Sequence, residues 1–151
     1  MTILIGFKVP QGAILTADMM SSTVNRNGTN TGEQSSVEKV SFIRKNMIMA
    51  TAGLAQLGSS VIEMLKATIH MRDEMPLQES LIYIRDTMRF GHQLFQNSNP
   101  DVTYLDLVAF VGGYDPERNQ SFLYSFSSID NFEPLESTLF AGVGPGIQDV
   151  E

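Results

Sequence analysis

Hydrophobic residues change their spacing twice along this chain, and that order limits the folds open to it. Before Gly53 they form short runs typical of strands, from Gly58 they recur at helical spacing, and after Pro100 short runs return. Helices that follow one another directly, between two sets of strands, do not make alternating βαβ units. The order therefore predicts an α+β domain in which helices pack as a layer on sheets.

An N-terminal hairpin is predicted from two apolar runs. Thr2–Val9 is almost entirely apolar, Pro10–Gly12 has turn chemistry, and Ala13–Ala17 is apolar again before Asp18. Continuous apolar runs indicate strands that are buried on both faces. The hairpin would therefore carry one charged side chain at its end.

A second hairpin is predicted after a polar stretch. The stretch, Asn25–Gly32, has the composition of a mobile loop. After it, Lys39–Ile43 and Met47–Thr51 flank a short polar break, which indicates two paired strands. Asp18 and Lys39 thus stand at or beside buried strands, where a charge is costly unless it is paired.

Two helices are predicted in the middle of the chain. The apolar positions of the first, within Gly58–Met71, are Val61, Leu65 and Ile69. Pro76 opens the second, because proline is favoured at the first turn of a helix. The buried stripe of this second helix is expected to comprise Leu77, Leu81, Ile84 and Met88.

Three further strands are predicted, at Leu105–Val111, Phe122–Phe126 and Ser137–Phe140. The first two are joined through Asp115–Gln120, and the last runs into the glycine-rich turn Gly142–Gly146. Aromatic residues in strand positions are expected to be core residues rather than a stacking platform: Tyr104, Phe110, Phe122, Tyr124 and Phe126.

Composition argues against several partners. The 151 residues give room for one domain, and 10 Lys and Arg against 17 Asp and Glu give a formal net charge of -7. So acidic a chain does not favour nucleic acid or an anionic membrane as a partner. No apolar run is long enough for a membrane span and no signal sequence begins the chain, so we expect a cytoplasmic protein.

No metal and no cofactor are expected. The chain has no cysteine, and His70 and His92 have no second ligand at helical or turn spacing. The turn Gly142–Gly146 lacks the Lys-Ser/Thr of a phosphate loop, and its Pro145 removes a backbone donor that such a loop would use.

Thr2 is the candidate nucleophile. An initiator methionine before a small residue is usually removed, and removal of Met1 would give Thr2 a free α-amine beside its hydroxyl. The amine titrates at about 7.7–8.0, far closer to neutrality than a lysine, so it suits proton transfer. By itself, however, a Met-Thr start also fits an ordinary structural strand.

Three other residues strengthen the hypothesis. A cation such as Lys39 near Thr2 would lower the pKa of the hydroxyl, and Asp18 would hold that cation in place. Gly53, at a strand-to-helix junction, would present its backbone N–H to an oxyanion. A structural ion pair together with a helix-start glycine explains the same residues equally well.

Segments along the whole chain, in order, resemble the proteasome β-subunit family, which includes bacterial proteasome-like threonine peptidases. They are Thr2–Gly6, Ala13–Asp18 with its Thr-Ala-Asp ending, Lys39, Ala50–Gly53 before a helix, Val111–Asp115 with its Gly-Gly, and the last glycine-rich turn. The resemblance implies a four-layer αββα sandwich of the N-terminal nucleophile hydrolase type.

The resemblance also implies a role for each matching residue. Thr2 matches the nucleophile, and the residues that match its acidic partner, its pKa-lowering lysine and its oxyanion glycine are Asp18, Lys39 and Gly53. The residues that match the substrate pocket are Ser21, Ser22, Thr51 and Ala55. Their small side chains predict a roomy pocket that accepts a bulky apolar side chain.

The sequence departs from the family at three positions near the site. Met20 and Ser22 stand where an arginine and a threonine usually follow the aspartate, and Val143 stands where a serine usually supports the nucleophile's amine. The family also continues with a long helix, further strands, and an Asp and a Ser of its active site. We therefore expect residues 1–151 to form one domain that lacks the family's C-terminal elements.

The leading functional prediction is a threonine endopeptidase subunit of a self-compartmentalising, proteasome-like assembly. It would act on peptides or unfolded proteins within a homo-oligomeric ring. One alternative is a non-catalytic structural subunit of such a ring, which Val143 favours. A remoter alternative is a small-molecule amidase. Ring size, and whether an ATP-dependent unfoldase delivers the substrate, stay open.

Overall fold

The computed structural model describes residues 3–17, 20–24, 30–36, 40–69, 75–103, 105–137 and 140–143, with the backbone alone for 20–24, 30–36 and 140–143. The strands are β1 Leu4–Val9, β2 Gly12–Ala17, β3 Met20–Val24, β4 Asn30–Ser36, β5 Val40–Arg44, β6 Met47–Gly53, β7 Leu107–Asp115, β8 Gln120–Ser127, β9 Leu135–Glu136 and β10 Phe140–Val143. The helices are α1 Ala55–Thr68 and α2 Leu77–Ser98, and a short 3-10 helix spans Ser128–Asp130. This order of elements confirms the α+β prediction.

Antiparallel pairing joins the strands into sheets. Strands β5, β6, β7, β8 and β9 form a five-stranded sheet in that order, and β10, β1 and β2 form a three-stranded sheet. Strands β3 and β4 pair with each other. Both predicted hairpins therefore form, β1–β2 and β5–β6, but they belong to different sheets.

The main core lies between the helices and the five-stranded sheet. Helix α2 buries Leu81, Ile84 and Met88, as its stripe predicts, while Leu77 is only partly buried. Alternation along β6 sends Met49 into this core and Ala50 to the opposite face. The aromatic residues predicted to be core residues are buried wherever they are described, at Phe110, Phe122, Tyr124 and Phe126; Tyr104 lies outside the described residues.

The three-stranded sheet packs on the other face of the five-stranded sheet. Leu4 of β1 is fully buried there with Ala50 and Leu123, and Leu15 of β2 packs against the same cluster. The two sheets approach closely, because a Cβ added at Gly112 would lie only 2.6 Å from the Cβ of Ala13. The described residues thus supply one helical layer and two sheets of the expected αββα arrangement.

The prediction that the first two strands are buried on both faces is wrong. Phe7 and Ile14 lie opposite each other in β1 and β2, and they are 42% and 51% exposed. Only one side of this sheet faces the five-stranded sheet, so the alternate residues on its other side keep access to solvent.

Three predicted boundaries are also corrected. Strand β4 begins at Asn30, inside the stretch predicted to be a loop. The prediction missed this strand because its polar sequence lacks the apolar alternation by which strands are recognised. The last strand continues to Val143, past the predicted end at Phe140, since its pairing with β1 extends into the glycine-rich segment. Helix α1 begins at Ala55, before the predicted start at Gly58.

None of the helices within the described ranges is both long and apolar enough to cross a membrane.

Candidate functional site

Gly53 is the one predicted catalytic residue that falls within the described residues. Thr2, Asp18 and Lys39 lie outside them. Of the residues predicted to line the substrate pocket, Ser21 and Ser22 belong to the backbone of β3, and Thr51 and Ala55 are described in full. The chain neighbours of the predicted residues, together with Gly53 itself, therefore define the position of the site.

The chain neighbours of all four predicted catalytic residues meet in one apolar cluster. Leu4 and Ala52 are buried in it, and Ala17 and Val40 pack against it. In the sequence, these residues stand two after Thr2, directly before Gly53, directly before Asp18 and directly after Lys39, respectively. Two strands of each sheet thus bring the corresponding points of the chain together between the sheets.

The strand register brings two of these points, together with Val143, to one end of the three-stranded sheet. Leu4, at the start of β1, lies opposite Ala17, at the end of β2. On its other side, Leu4 lies opposite Val143, at the end of β10. The position at which the family usually has a serine is therefore directly beside the beginning of β1.

The end of β6 requires a glycine. Gly53 has a φ of 111°, a conformation that L side chains rarely adopt. A Cβ added there would overlap the carbonyl oxygen of Asp106 and lie 2.9 Å from its carbonyl carbon and 3.1 Å from Leu107 Cα. The residue type at this position is thus fixed by backbone geometry.

The N–H of Gly53 points away from β7. In an antiparallel pair, consecutive residues direct their backbone groups alternately to one neighbouring strand and to the other. Leu54 donates its N–H to Asp106 O at 3.0 Å, so the N–H of the preceding Gly53 faces the side of β5. There the described β5–β6 pairing ends at Val40 opposite Ala50, and Gly53 lies past that end.

Helix α1 begins directly beside this N–H. Its first intrahelical bond runs from Gly58 N to Leu54 O at 3.0 Å, and the capping residue Leu54 makes no side-chain bond to the first turn. The first turn also contains no acidic side chain. The positive end of the helix dipole therefore lies close to Gly53 and favours negative charge there.

Two of the predicted pocket residues flank Gly53. Thr51 has only 6% of its surface exposed, and its Oγ1 would lie 2.6 Å from a Cβ at Gly58 of α1. Ala55 is the first residue of α1 and is partly buried. Thr51 and Gly53 are two residues apart in β6 and therefore lie on the same face of the strand, the one that faces the helices.

Sequence reasoning missed the segment that holds Gly53 in place. Asp106 acts through its backbone carbonyl, which carries no side-chain signal in a sequence. His92 has no predicted ligand partner, but in the structure its Nε2 lies 3.0 Å from Leu105 O, in the same segment. Within the described ranges, no group of three or more His, Cys, Asp or Glu side chains could hold a metal ion.

A cavity of about 500 Å³ lies at the opposite end of the β6–β7 pair. Arg44, Lys45, Tyr114 and Asp115 are among its lining residues, and none of the predicted site residues that the structure describes is. Arg44 Nη1 donates to Ser80 Oγ at 2.6 Å and to Met75 O at 3.2 Å, which ties β5 to the start of α2. This cavity is separate from the site around Gly53.

Comparison with known proteins identifies the fold. A family model described as "Proteasome subunit" matches residues 2–144. The chain belongs to the proteasome subunit family. The predicted resemblance and the predicted fold class, α+β of the N-terminal nucleophile hydrolase type, are thereby confirmed. A search of curated proteins gives no match.

Solved structures of bacterial Anbu proteins share this fold. An Anbu mutant from Hyphomicrobium sp. strain MC1 superimposes with a TM-score of 0.74 at 12% identity, over 96% of this chain and 61% of that one. Anbu, an ancestral β-subunit, from Yersinia bercovieri gives 0.69 at 13% identity, over 95% and 61%. The helical assembly of the Anbu complex from Pseudomonas aeruginosa gives 0.71 at 18% identity, over 95% and 61%. The chain thus spans about three fifths of the length of each of these proteins.

Proposed function

We propose that this chain is a threonine-type endopeptidase subunit of a proteasome-like assembly, with Thr2 as its N-terminal nucleophile after removal of Met1. The observation that carries the proposal is the convergence of Leu4, Ala17, Val40 and Ala52 in one cluster beside Gly53. Membership of the proteasome subunit family supports the same chemistry, because it makes this end of the two sheets the expected place of the reaction.

The proposed reaction begins at the Thr2 hydroxyl. The α-amine of Thr2 takes the hydroxyl proton while Oγ attacks a peptide carbonyl, and it then gives the proton to the leaving amine. Lys39 lowers the pKa of the hydroxyl, and Asp18 holds the lysine in position. Water later attacks the carbonyl of this Oγ ester, which releases the acyl group as a carboxylic acid and regenerates the Thr2 hydroxyl.

Gly53 stabilises the tetrahedral intermediate in this proposal. Its N–H faces the β5 side of β6 and lies next to the unblocked N-terminus of α1, so an oxyanion there would meet a donor and a favourable dipole. Such a donor acts without reorganisation, because the positive φ and the contact with Asp106 fix its direction before substrate binds.

The substrate proposed is an extended peptide or an unfolded protein. Ser21, Ser22 and Ala55 would form the walls of the specificity pocket, and the almost fully buried Thr51 would contribute to its floor. Small residues leave room for a bulky apolar side chain before the cleaved bond. Fluorogenic peptides test this specificity, and a clear preference for small or acidic residues would contradict it.

The assembly proposed is a homo-oligomer that encloses the site, in the cytoplasm and without a cofactor. One solved relative of the same fold is described as a helical assembly, which supports self-association and leaves ring or helix as the geometry to determine. Analytical ultracentrifugation of the full chain measures its oligomeric state. A monomer at all concentrations would contradict this part of the proposal.

The decisive experiment uses a covalent inhibitor that needs both the hydroxyl and the α-amine of an N-terminal threonine. Intact mass is expected to show loss of Met1 and one inhibitor adduct per chain. Thr2→Ala should give no adduct and no peptide hydrolysis. Thr68→Ala is the matched control, because Thr68 is exposed at the last residue of α1, at the opposite end of that helix from Gly53. Hydrolysis that persists in Thr2→Ala would refute the mechanism.

A non-catalytic structural subunit is the second candidate. The observation that favours it is the register of β10, which puts Val143 opposite Leu4 at the position of the family's usual serine. The same experiment separates the two candidates: an intact oligomer that keeps Met1 and forms no adduct would establish the structural role.

A further inference from the structure

The short segment Leu105–Leu107, which leads from α2 into β7, is held by three hydrogen bonds. Asp106 O accepts the N–H of Leu54 at 3.0 Å. Leu107 N–H is turned to the opposite side and donates to Ser128 Oγ at 3.1 Å. Leu105 O lies 3.0 Å from Nε2 of His92, on α2. The segment is thus fixed between the end of β6, the 3-10 helix and α2.

His92 is itself held in one orientation. Its ring makes an edge contact with Phe132, with ring centroids 5.4 Å apart and an interplanar angle of 68°. Phe132 is 2% exposed and donates its backbone N–H to Ser127 O at 2.8 Å, so it is a firm support. Because a carbonyl oxygen can only accept, the bond to Leu105 requires a hydrogen on Nε2.

A movement of Asp106 O would act directly on Gly53. A Cβ added at Gly53 would overlap this oxygen, so the carbonyl already rests against the Gly53 backbone. The same oxygen accepts the N–H of the next residue, Leu54. Planar peptide units leave two soft dihedral angles per residue, so release of Leu105 O frees the adjoining Asp106 carbonyl to rotate.

We propose that His92 is a positioning residue for the Gly53–Leu54 peptide, acting through the carbonyls of Leu105 and Asp106. The inference rests on the proposed function in so far as Gly53 N–H is the oxyanion donor. His92 does not touch substrate. It keeps the segment that contacts Gly53 from moving, so that the donor direction is set before the intermediate forms.

The first test measures this linkage without any activity. Hydrogen exchange of the Leu54 amide, resolved by mass spectrometry of the full chain, is compared in wild type, His92→Leu, His92→Gln and Gln93→Leu. His92→Leu keeps bulk but loses the donor, and exchange should rise about tenfold, as expected for loss of one hydrogen bond. His92→Gln retains an N–H donor and should stay near wild type. Gln93→Leu, on the exposed side of α2, is the matched control.

The second test measures catalysis of peptide hydrolysis. In His92→Leu, kcat should fall between about tenfold and a hundredfold while KM changes little, because misplacement of the donor affects the transition state alone. His92→Gln should restore most of the loss. A merely structural role would lower the amount of folded protein and leave the kcat of the folded fraction unchanged.

The two tests separate this inference from the proposed function. Unchanged Leu54 exchange in folded His92→Leu would overturn the inference, and so would raised exchange with an unchanged kcat. If exchange rises but wild type forms no adduct at Thr2, the link between His92 and the Gly53–Leu54 peptide is supported and the peptidase proposal is refuted.

Discussion

The two ends of the β6–β7 pair carry the same contact. At one end, Leu54 N–H donates to Asp106 O at 3.0 Å, and a Cβ at the preceding Gly53 would overlap that oxygen. At the other end, Tyr114 N–H donates to Asn46 O at 3.3 Å, and a Cβ at the preceding Gly113 would overlap that oxygen as well. Each strand thus ends its pairing with a glycine pressed against a carbonyl of its partner.

The two glycines differ in where their N–H groups point. Gly113 lies opposite Phe122 of β8, and the alternation of the sheet turns its N–H towards that strand. Gly53 has a φ of 111° and leads into a helix, and its N–H faces the side on which the β5 pairing has ended. Close approach alone therefore does not mark a functional glycine. The two glycines differ in whether the backbone N–H faces a paired neighbouring strand, as at Gly113, or a side without described strand pairing, as at Gly53.

Among these substitutions, Gly53→Ala should have the largest effect on the proposed chemistry. Alanine must leave the positive φ or push away the Asp106 carbonyl, and either movement displaces the proposed oxyanion donor. The rate of covalent modification of Thr2 should fall at least about 100-fold. Time-resolved intact mass measures that rate, and circular dichroism checks that the variant is folded. A folded variant that is modified at the wild-type rate would exclude Gly53 as the donor.

Gly113→Ala should separate stability from chemistry. The added Cβ meets Asn46 O and lies 3.1 Å from Phe122 Cζ, so we expect a loss of about 3 kcal/mol in the free energy of unfolding. The N–H of this residue has no part in the proposed reaction. Under conditions in which the variant is folded, its rate of modification should therefore match wild type.

Gly113→Ala also tests whether the two ends of the β6–β7 pair act independently. If folded Gly113→Ala loses modification as completely as Gly53→Ala, the two ends are not independent. The β6–β7 pair would then transmit strain over its whole length, and the special role of Gly53 would need another basis. Urea unfolding measures the stability of both variants.

Local periodicity predicted much of this molecule. The β5–β6 hairpin, the buried stripe of α2 and the strand-to-helix junction at Gly53 each depend on neighbouring residues, and each is found. The polar strand β4 and the position of β10 could not be read in this way. Strand β10 is placed by pairing with β1, at the far end of the chain, and no local pattern contains that register.

The support of the candidate site was even less accessible from sequence. Asp106 contributes a carbonyl oxygen, which every residue has. The Ser128 hydroxyl, in the 3-10 helix, accepts the backbone N–H of Leu107 in β7. His92 finds its partner in a backbone carbonyl on a segment without regular structure. Apolar content also misled, because Phe7 and Ile14 indicate burial by type but face outward through alternation.

Substitutions at Thr51 and Gly58 test how closely α1 packs against the end of β6 at Gly53. A Cβ at Gly58 would lie 2.6 Å from Thr51 Oγ1 and 3.2 Å from Thr51 Cβ, so Gly58→Ala should cost about 1–2 kcal/mol of unfolding free energy. Thr51→Ala should relieve part of that overlap. A double-mutant cycle by urea unfolding should give a coupling of about 1 kcal/mol in favour of the double variant. Additive losses would mean that α1 shifts without meeting Thr51.

Tyr124→Phe should have the smallest effect, confined to alkaline pH and nearer the Gly113 end. Burial of the phenol, which is 7% exposed, raises its pKa above the ordinary 10.0, and the charge of Glu136 directly opposite adds to the rise. A group whose folded pKa is raised contributes stability that is complete below pH 10 and is lost as pH rises through the folded pKa. Phenylalanine cannot ionise, so wild type should lose stability relative to the variant only above that pH.

Urea unfolding of Tyr124→Phe and wild type across this range isolates the phenol, because all other titrations are common to both chains. The bond between the Tyr124 hydroxyl and Gln78 gives only a constant offset at lower pH. Glu136→Gln should narrow the difference, since it removes the second cause of the raised pKa. Modification of Thr2 should be unaffected in both variants, because neither residue touches the contacts that hold Gly53. A difference in stability that is the same on both sides of pH 10 would show that burial of this phenol does not oppose its ionisation.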